Sequence, residues 1–298
     1  IGGKGTADEA RQRIDEALKK MGTDYLDIVD LHGINTLAGL KECTAKGGSI
    51  DGIKKAISDG VVGHVAFSSH AGPDVIVPAL ETGMFEAVSM LYWWTHQRNV
   101  VSAAKAADLD AGVLILSSSE KGGLLFRPTP KLEAVCRPFT PLVLAHRWLM
   151  AQKGVITLTV GAAKPGELEA HLPAGEGPDE LTADEKAALK KWSDAERSAL
   201  GKTFCTLCYK CMPCPQKVAI PEILRLRNLG IAFDLIEFGR MRYNLLGEGG
   251  DWFPGQKYDK CNRCGECLPR CPEKLAIPDL LEETDALLKG EQRKRLWQ

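Results

Sequence analysis

Eight of the ten cysteines in this 298-residue chain fall within two short runs. Each run begins with three cysteines spaced two residues apart, and ends with a fourth cysteine that is followed by proline. Thiolates at this spacing wrap three corners of one small inorganic cluster, and the remaining corner takes a thiolate from elsewhere in the chain. The runs consist of Cys205, Cys208, Cys211 and Cys214, and of Cys261, Cys264, Cys267 and Cys271.

The second run fits the bacterial [4Fe–4S] ligand pattern without deviation, whereas the first has one residue fewer before its fourth cysteine. In proteins with two such clusters, the fourth cysteine of each run ligates the other cluster. The alternatives are uncrossed pairing, which strains the short first loop, and zinc or disulfides in place of iron and sulfide. We predict two crossed [4Fe–4S] clusters, one held by Cys205, Cys208, Cys211 and Cys271, the other by Cys261, Cys264, Cys267 and Cys214.

Composition restricts the partners and the compartment. The formal net charge is −1 and 44% of the residues are hydrophobic, so no strong field of either sign attracts nucleic acid. No apolar run approaches the ~20 residues that a membrane-spanning helix needs, so no transmembrane segment is expected. Free thiolates for cluster binding require a reducing compartment, which indicates the cytoplasm or an organelle stroma.

The first part of the chain alternates strand-like and helix-like patterns, which is typical of βα units around a parallel sheet. We predict strands at 25–31, 61–67, 87–91, 112–116 and 155–160, and helices at 6–20, 49–58, 74–81, 99–107 and 140–152. No Gly-x-Gly-x-x-Gly follows a strand, which disfavours a doubly wound dinucleotide-binding sheet. A (β/α)₈ barrel would need three further units, so pattern alone leaves both architectures open.

A Gly- and Pro-rich joint at 173–178 separates the βα region from the cysteine region. It precedes a capping box and a charged helix that ends at about Leu200. We therefore predict a barrel-like domain at 1–178, a linker helix at 179–203 and an iron–sulfur domain at 204–298. Between the cysteine runs, 220–246 suits one or two helices, which favours a mainly helical ferredoxin-like domain.

The segment from Leu18 to Asn35 resembles the aldo/keto reductases, specifically the branch with a C-terminal ferredoxin-type domain that binds two [4Fe–4S] clusters. It reads Leu-Lys-Lys-Met-Gly-Thr-Asp-Tyr-Leu-Asp-Ile-Val-Asp-Leu-His-Gly-Ile-Asn. The resemblance continues through His64–His70, Lys121–Leu125 and Gly161–Pro165. It implies an α/β fold in which the five strands are the last five units of a (β/α)₈ TIM barrel, followed by the helical iron–sulfur domain.

In this family NAD(P)H delivers hydride to a carbonyl, while a Tyr assisted by Lys, Asp and His donates the proton. Of these four residues the resemblance places only the histidine in this sequence, at His32, where the first strand ends. The others belong to the first three barrel units, which we expect upstream of residue 1, because a natural five-stranded remnant would expose sheet edges. A full-length protein heavier than this chain by about 8–12 kDa, on the scale of three βα units, would support that expectation.

The resemblance also assigns the nicotinamide cofactor. It matches one serine with the amide, the loop after the fourth strand with the pyrophosphate, and the segment from Gly161 to His171 with the adenosine end. Leu116 and Glu167 depart from the family's aromatic residue and arginine, which leaves NAD against NADP open. The expected cofactor contacts are Ser89, Ser117, Lys121, Gly122, Gly161 and Lys164.

These features together predict an iron–sulfur oxidoreductase with NAD(P)H-linked chemistry on a small carbonyl or alcohol substrate. Hydride carries two electrons and a cubane accepts one, so the clusters are expected to serve a partner redox protein or to be structural. The alternative is a non-catalytic electron-transfer or docking subunit of a redox complex.

Two further features each have two interpretations. Tyr92-Trp93-Trp94 either lines a flat pocket, with polar contacts from His96 and Arg98, or packs in the interior. The basic residues around the second run either tune a cluster and attract an acidic partner, or form an ordinary solvated surface. These basic residues are Lys257, Lys260, Arg263 and Arg270.

Overall fold

The computed structural model describes residues 1–162 and 164–290, which divide into two compact units. The first unit comprises residues 1–92, 99–118 and 152–159. The second comprises residues 93–98, 119–151 and the described residues from 160 onward. In the described part of the chain, no helix combines the length and the apolar character required to traverse a bilayer.

The first unit contains a parallel sheet of five strands. These are β1 (Leu26–Leu31), β2 (Val62–Ser69), β3 (Ala87–Met90), β4 (Gly112–Ile115) and β5 (Val155–Leu158). They lie side by side in chain order, and each is parallel to the next. All five predicted strands are confirmed. A doubly wound sheet reverses its strand order at a switch point, whereas consecutive barrel units do not, so this order favours the barrel interpretation.

Helices connect these strands. They are α1 (Ala7–Met21), α2 (Leu37–Thr44), α3 (Ser49–Ser58), α4 (Pro73–Glu81) and α5 (Val100–Asp108). The predicted capping box is present at the start of α1, where Thr6 and Glu9 satisfy each other's backbone N–H groups. α1 and α3 approach so closely that a Cβ at Gly52 would lie 2.1 Å from the Ala7 carbonyl oxygen, so only glycine permits this packing. The eight-residue α2 was not predicted.

The second unit is mainly helical. Its helices are α6 (Pro130–Cys136), α7 (Pro141–Met150), α8 (Leu172–Gly175), α9 (Ala183–Leu200), α10 (Ile220–Phe233), α11 (Ile236–Asn244) and α12 (Ile277–Leu288). α10 is central, since it packs against α9, α11 and α12. The segment between the cysteine runs thus forms two helices, where the sequence predicted one or two.

The two units do not follow the domain boundaries expected from the sequence. The predicted linker helix, α9, packs against α6 and α7. Residues 119–151 therefore group with the cysteine region rather than with the sheet. The positions of the motifs predict a domain boundary at residue 178. In the structure, α6 and α7 belong to the second unit because they pack against α9.

Candidate functional site

Two cavities of similar size in the second unit are each lined by four cysteines. The first cysteine cavity is lined by Cys205, Cys208, Cys211 and Cys271. The second cysteine cavity is lined by Cys214, Cys261, Cys264 and Cys267. Each cavity takes three cysteines from one run and the fourth from the other, which is the crossed grouping that the sequence predicts. Among the described residues, no group of three or more His, Cys, Asp or Glu is placed to hold a single metal ion.

The starts of two helices separate the cavities. Ile277 of α12 and Pro221 of α10 line the first cavity, while the adjacent residues Pro278 and Ile220 line the second. Each cavity therefore lies at the N-terminal turns of two helices. The positive end of a helix dipole favours negative charge, so both cavities suit an anionic occupant such as a thiolate-ligated cluster.

A repeat that extends beyond the cysteines explains this symmetry. Residues 214–221 read Cys-Pro-Gln-Lys-Val-Ala-Ile-Pro, and residues 271–278 read Cys-Pro-Glu-Lys-Leu-Ala-Ile-Pro. The backbone repeats as well, because Lys217 and Lys274 both adopt left-handed conformations, with φ of 57° and 52°. The sequence analysis used the two cysteine runs but not this longer repeat. The repeat itself predicts two equivalent helix starts, one after the fourth cysteine of each run.

Two thiols of the first cavity lie in a poorly solvated environment. Burial raises the pKa of Cys205 to about 11 and that of Cys211 to about 12. Without a cation these groups stay protonated at neutral pH, so a bound metal must displace their protons. Cys208 and Cys264, which occupy equivalent positions in the two runs, are exposed.

A buried ion network lies beside the first cavity. It is centred on Arg225, whose side chain is 1% exposed and whose Nη1 donates to Glu120 at 2.9 Å and Nη2 to Glu222 at 2.8 Å. Burial alone would raise the pKa of Glu222, but Arg225 outweighs it and holds that pKa well below its ordinary value. Thr95 also donates to Glu120, at 2.8 Å. The interior of the second unit thus holds charges that compensate one another.

His96 joins this network to the first cysteine run. Its Nε2 lies 2.6 Å from the Tyr209 hydroxyl oxygen and 3.9 Å from Glu222. Burial, together with the nearby Arg225, lowers the pKa of His96 to about 3, so the ring is neutral at physiological pH. Trp93 is buried and Trp94 packs edge-on against Trp148, which favours interior packing over an open pocket at this segment.

Two residues that the family resemblance assigns to the pyrophosphate are in contact with other residues of the second unit. Lys121 donates to the Trp252 carbonyl at 2.7 Å, and its Nζ lies 4.3 Å from the centroid of the Phe253 ring. Burial and the nearby Arg242 lower the pKa of Lys121 to about 8. A Cβ at Gly122 would lie 2.9 Å from Met241 Cε, so this glycine is also closely packed.

In the first unit, polar side chains lie together near the carboxyl ends of three strands. Ser68 is aligned with Ser89 in the sheet, and its Oγ lies 3.1 Å from His32 Nδ1. Ser89 donates to Asp30 Oδ2 at 2.7 Å. The other Asp30 oxygen, Oδ1, is buried and has no hydrogen-bond partner in the described part of the chain. Ser117 adopts a left-handed conformation with φ of 52°, and its N–H donates to Thr159 Oγ1 at 3.2 Å.

The predicted nicotinamide contacts are therefore divided between the units. Ser89 and Ser117 belong to the first unit, as does the predicted catalytic residue His32, and the four remaining contacts belong to the second. These four are Lys121, Gly122, Gly161 and Lys164. Ser68 and Asp30 were not predicted, although Asp30 could have been found from its position two residues before His32 on the same strand face.

The basic residues around the second run form ion pairs. Arg263 pairs with Asp279 and Glu282, and its side chain is 48% exposed. The other three each have an acidic partner as well: Lys257 with Glu248, Lys260 with Asp259, and Arg270 with Glu266. This arrangement favours the solvated-surface interpretation, since exposed pairs contribute little field of either sign.

Comparison with known proteins finds a family match in the first part of the chain. Residues 1–119 match the Aldo/keto reductase family. The comparison with curated proteins finds no match. Similar solved structures include an aldo-keto reductase from Bacillus halodurans in its holo form, at 21% identity and a TM-score of 0.53, over 63% of this chain and 65% of that protein. The chain thus spans just under two thirds of that protein's length.

The apo form of the same Bacillus halodurans enzyme matches at 22% identity and a TM-score of 0.52, over 62% of this chain and 68% of that protein. A thermostable aldo-keto reductase in complex with the inhibitor epalrestat matches at 15% identity and a TM-score of 0.50, over 63% of this chain and 67% of that protein. At these identities the likeness shows the fold alone. Residues 1–119 match the model of the Aldo/keto reductase family, and the five-stranded parallel sheet is similar in fold to βα units of these solved structures.

Proposed function

We propose that this protein is an iron–sulfur oxidoreductase whose second unit holds two [4Fe–4S] clusters and whose first unit supports NAD(P)H-linked redox of a small carbonyl or alcohol. The observation that carries the proposal is the pair of four-cysteine cavities, each built from both runs. A reducing compartment and a partner redox protein are part of the same proposal.

The residues present fit a cubane. Four thiolates surround each space, the two spaces are alike in volume, and each lies at two helix N-termini that favour the negative charge of a thiolate-ligated cluster. Cys205, Cys208, Cys211 and Cys271 would hold one cluster, and Cys214, Cys261, Cys264 and Cys267 the other. When bound, such clusters accept and release single electrons.

The first unit fits the nicotinamide end of the cofactor, whose chemistry is hydride transfer. Ser89 is fixed by Asp30, and the unpartnered Asp30 Oδ1 is an acceptor suited to a carboxamide N–H. His32 is exposed and its Nδ1 lies 3.1 Å from Ser68 Oγ, which orients the imidazole to hold a carbonyl oxygen or to support proton donation to it.

One observation favours the second candidate function, an electron-transfer or docking subunit that does not bind nicotinamide. Lys121 and Gly122, which the family resemblance assigns to the pyrophosphate, are engaged by Trp252, Phe253 and Met241. A dinucleotide would have to displace these contacts. The two functions differ in whether the full-length protein binds NAD(P)H.

The cluster proposal is tested by electron paramagnetic resonance of anaerobically purified, full-length protein. After reduction, we expect a signal that integrates to about two spins per chain, one for each cluster. Broadening from interaction between the spins would also show that both clusters occupy the same chain. A reduced sample that remains silent while it contains no iron would contradict the proposal.

We expect His32→Ala to lower the turnover number of NAD(P)H-dependent carbonyl reduction by about 10²-fold, because the variant loses the group that orients the carbonyl oxygen and supports its protonation. The matched control is His64→Ala, since His64 is also exposed on a sheet strand but is hydrogen-bonded to Glu86 at 2.6 Å. His64→Ala should retain full turnover. Equal activity of wild type and His32→Ala would remove His32 from the catalytic assignment, and absence of NAD(P)H binding would favour the subunit function.

A further inference from the structure

The strand β1 carries two aspartates that face opposite sides of the sheet. Successive side chains of a strand alternate between its faces, so Asp30 shares a face with His32, whereas Asp27 points the other way. Strands of a parallel sheet are typically apolar on both faces. A carboxylate at Asp30, which is half-buried, is therefore unusual and needs polar surroundings.

One oxygen of the Asp30 carboxylate lacks a hydrogen-bond donor. Oδ2 accepts from the Ser89 hydroxyl at 2.7 Å, whereas Oδ1 is buried and accepts from no donor in the described part of the chain. The amino group of Ile1 donates to the main-chain carbonyl of Asp30, at 2.9 Å, and not to its carboxylate. A buried anionic oxygen is costly unless a donor or a positive charge completes its surroundings. Asp30 thus suits a ligand that supplies both.

The other ionisable groups on this face do not form an ion pair with Asp30. Its Oδ2 is bonded to a serine and its Oδ1 to no described residue. His64 and Glu86 contact each other at 2.6 Å, and His64 is aligned in the sheet two residues before Asp30, toward the amino ends of the strands. The ring of His32 contacts the Ser68 hydroxyl through Nδ1. The first unit therefore leaves the negative charge of Asp30 without a paired cation among its described residues.

The two redox forms of a nicotinamide cofactor differ at the ring on which such a charge would act. The oxidised ring is a cation and the reduced ring is neutral, while both carry the same carboxamide. An anion that accepts from the carboxamide N–H lies beside the ring, because the two groups are directly bonded. Attraction between opposite unit charges a few ångströms apart corresponds to about tenfold or more in affinity, and the neutral ring gains none of it. A carboxylate therefore distinguishes the two forms, which a serine hydroxyl cannot do.

We propose that Asp30 is the counter-charge of the nicotinamide ring, so that the first unit binds the oxidised cofactor more tightly than the reduced one. By linkage, tighter binding of the oxidised form makes the bound reduced form a stronger hydride donor, which favours carbonyl reduction over alcohol oxidation. Ser89 is a positioning residue, since it acts by fixing the carboxylate of Asp30. The inference rests on the proposed NAD(P)H-linked function and does not depend on the clusters.

The test compares the dissociation constants of NAD⁺ with NADH, and of NADP⁺ with NADPH, by calorimetric titration of the full-length protein. A pH of about 8.5 keeps histidine side chains of ordinary pKa uncharged. Wild type should bind the oxidised form of a pair about tenfold or more tightly than the reduced form. Asp30→Asn should abolish this difference by weakening the oxidised form, because asparagine retains an acceptor oxygen but not the charge. Asp27→Asn is the matched control, since it removes a charge from the opposite face of β1, and should keep the wild-type ratio.

Three results would count against this account in different ways. An unchanged ratio of the two dissociation constants in Asp30→Asn would overturn the role of Asp30 and leave the nicotinamide function in place. If Asp30→Asn does not fold, the wild-type ratio decides, because equal affinities for the oxidised and reduced forms would also overturn that role. Wild-type protein that binds neither form would overturn the nicotinamide function itself, and the inference with it.

Discussion

Replacing Cys271 by serine is expected to remove the cluster bound by the first run of cysteines, although Cys271 belongs to the second run. Cys271 lines the cavity formed by Cys205, Cys208 and Cys211. The iron content of anaerobically purified protein should fall by half, from about eight to about four atoms per chain, since one of two [4Fe–4S] clusters is lost. Metal analysis and spin integration measure this loss directly.

Double variants identify which cysteines share a cluster. Cys205→Ser with Cys271→Ser should retain about four irons, the same as either single variant, because both residues serve one cluster. Cys264→Ser with Cys271→Ser should lose nearly all iron, because these residues serve different clusters. The reverse result, with loss in the first double variant and retention in the second, would show that the runs are uncrossed.

Arg225→Met is expected to be the most destabilising single change in the second unit. It leaves Glu120 and Glu222 buried without their cation, which costs about 3–5 kcal/mol in unfolding free energy for a buried pair broken at one partner. Urea unfolding of the full-length protein measures this loss. Lys190→Met is the matched surface control, because the Lys190–Asp194 pair is exposed, and it should change stability far less.

The unfolding free energy lost in Arg225→Met should depend on pH in a defined direction. In wild type the pKa of Glu222 lies below its ordinary value, so its stabilising effect is present above the ordinary pKa and is lost only as pH falls through the lowered one. In Arg225→Met the carboxylate is buried without a cation, and protonation relieves the penalty. Because burial without a cation raises the pKa of this carboxylate above the ordinary value of about 4.3, the difference in stability between wild type and variant should be largest at neutral pH and should begin to shrink while the pH is still above that value.

Neutralising the whole network separates charge from packing. The triple variant Glu120→Gln, Glu222→Gln and Arg225→Met removes all three charges that pair with one another, so it should recover part of the stability lost in Arg225→Met. A triple variant as unstable as the single one would show that the side-chain volume of Arg225, and not charge compensation, holds this region together.

The alternation of elements in the first unit was predictable because each strand is a short apolar run between polar segments. These apolar runs are also buried in the structure; in β3, for example, all four residues are buried. The helix α2 was missed because its eight residues carry only a weak apolar pattern, although Thr36 caps it by accepting from the Gly39 N–H. Strand order was not predictable, because the pattern of a βα unit is the same in a barrel and in a doubly wound sheet.

The cysteine cavities follow from residue spacing, since a short loop dictates which thiolates converge. The buried ion network does not, because Glu120 and Arg225 are 105 residues apart along the chain. An arginine within a helix is usually expected on the surface, and only the fold reveals that Arg225 faces two carboxylates. Similarly, the sequence places Tyr209 merely between two predicted ligands. Only the structure shows that its backbone is left-handed, like that of Gly265 at the equivalent position.

The contacts of Lys121 show where family resemblance reaches its limit. The resemblance predicts that Lys121 contacts the pyrophosphate, yet its ammonium group contacts Trp252 and Phe253, which lie more than a hundred positions away along the chain. A family resemblance assigns a role to a residue from its position in the sequence. Whether that residue can reach a ligand depends on the residues that pack over it.

We propose that each of the two cysteine cavities holds an iron–sulfur cubane. The test is quantification of iron, zinc and acid-labile sulfide in anaerobically purified, full-length protein. We predict about eight iron atoms and about eight sulfide ions per chain, with only traces of zinc. About two zinc ions per chain, without iron or sulfide, would contradict it.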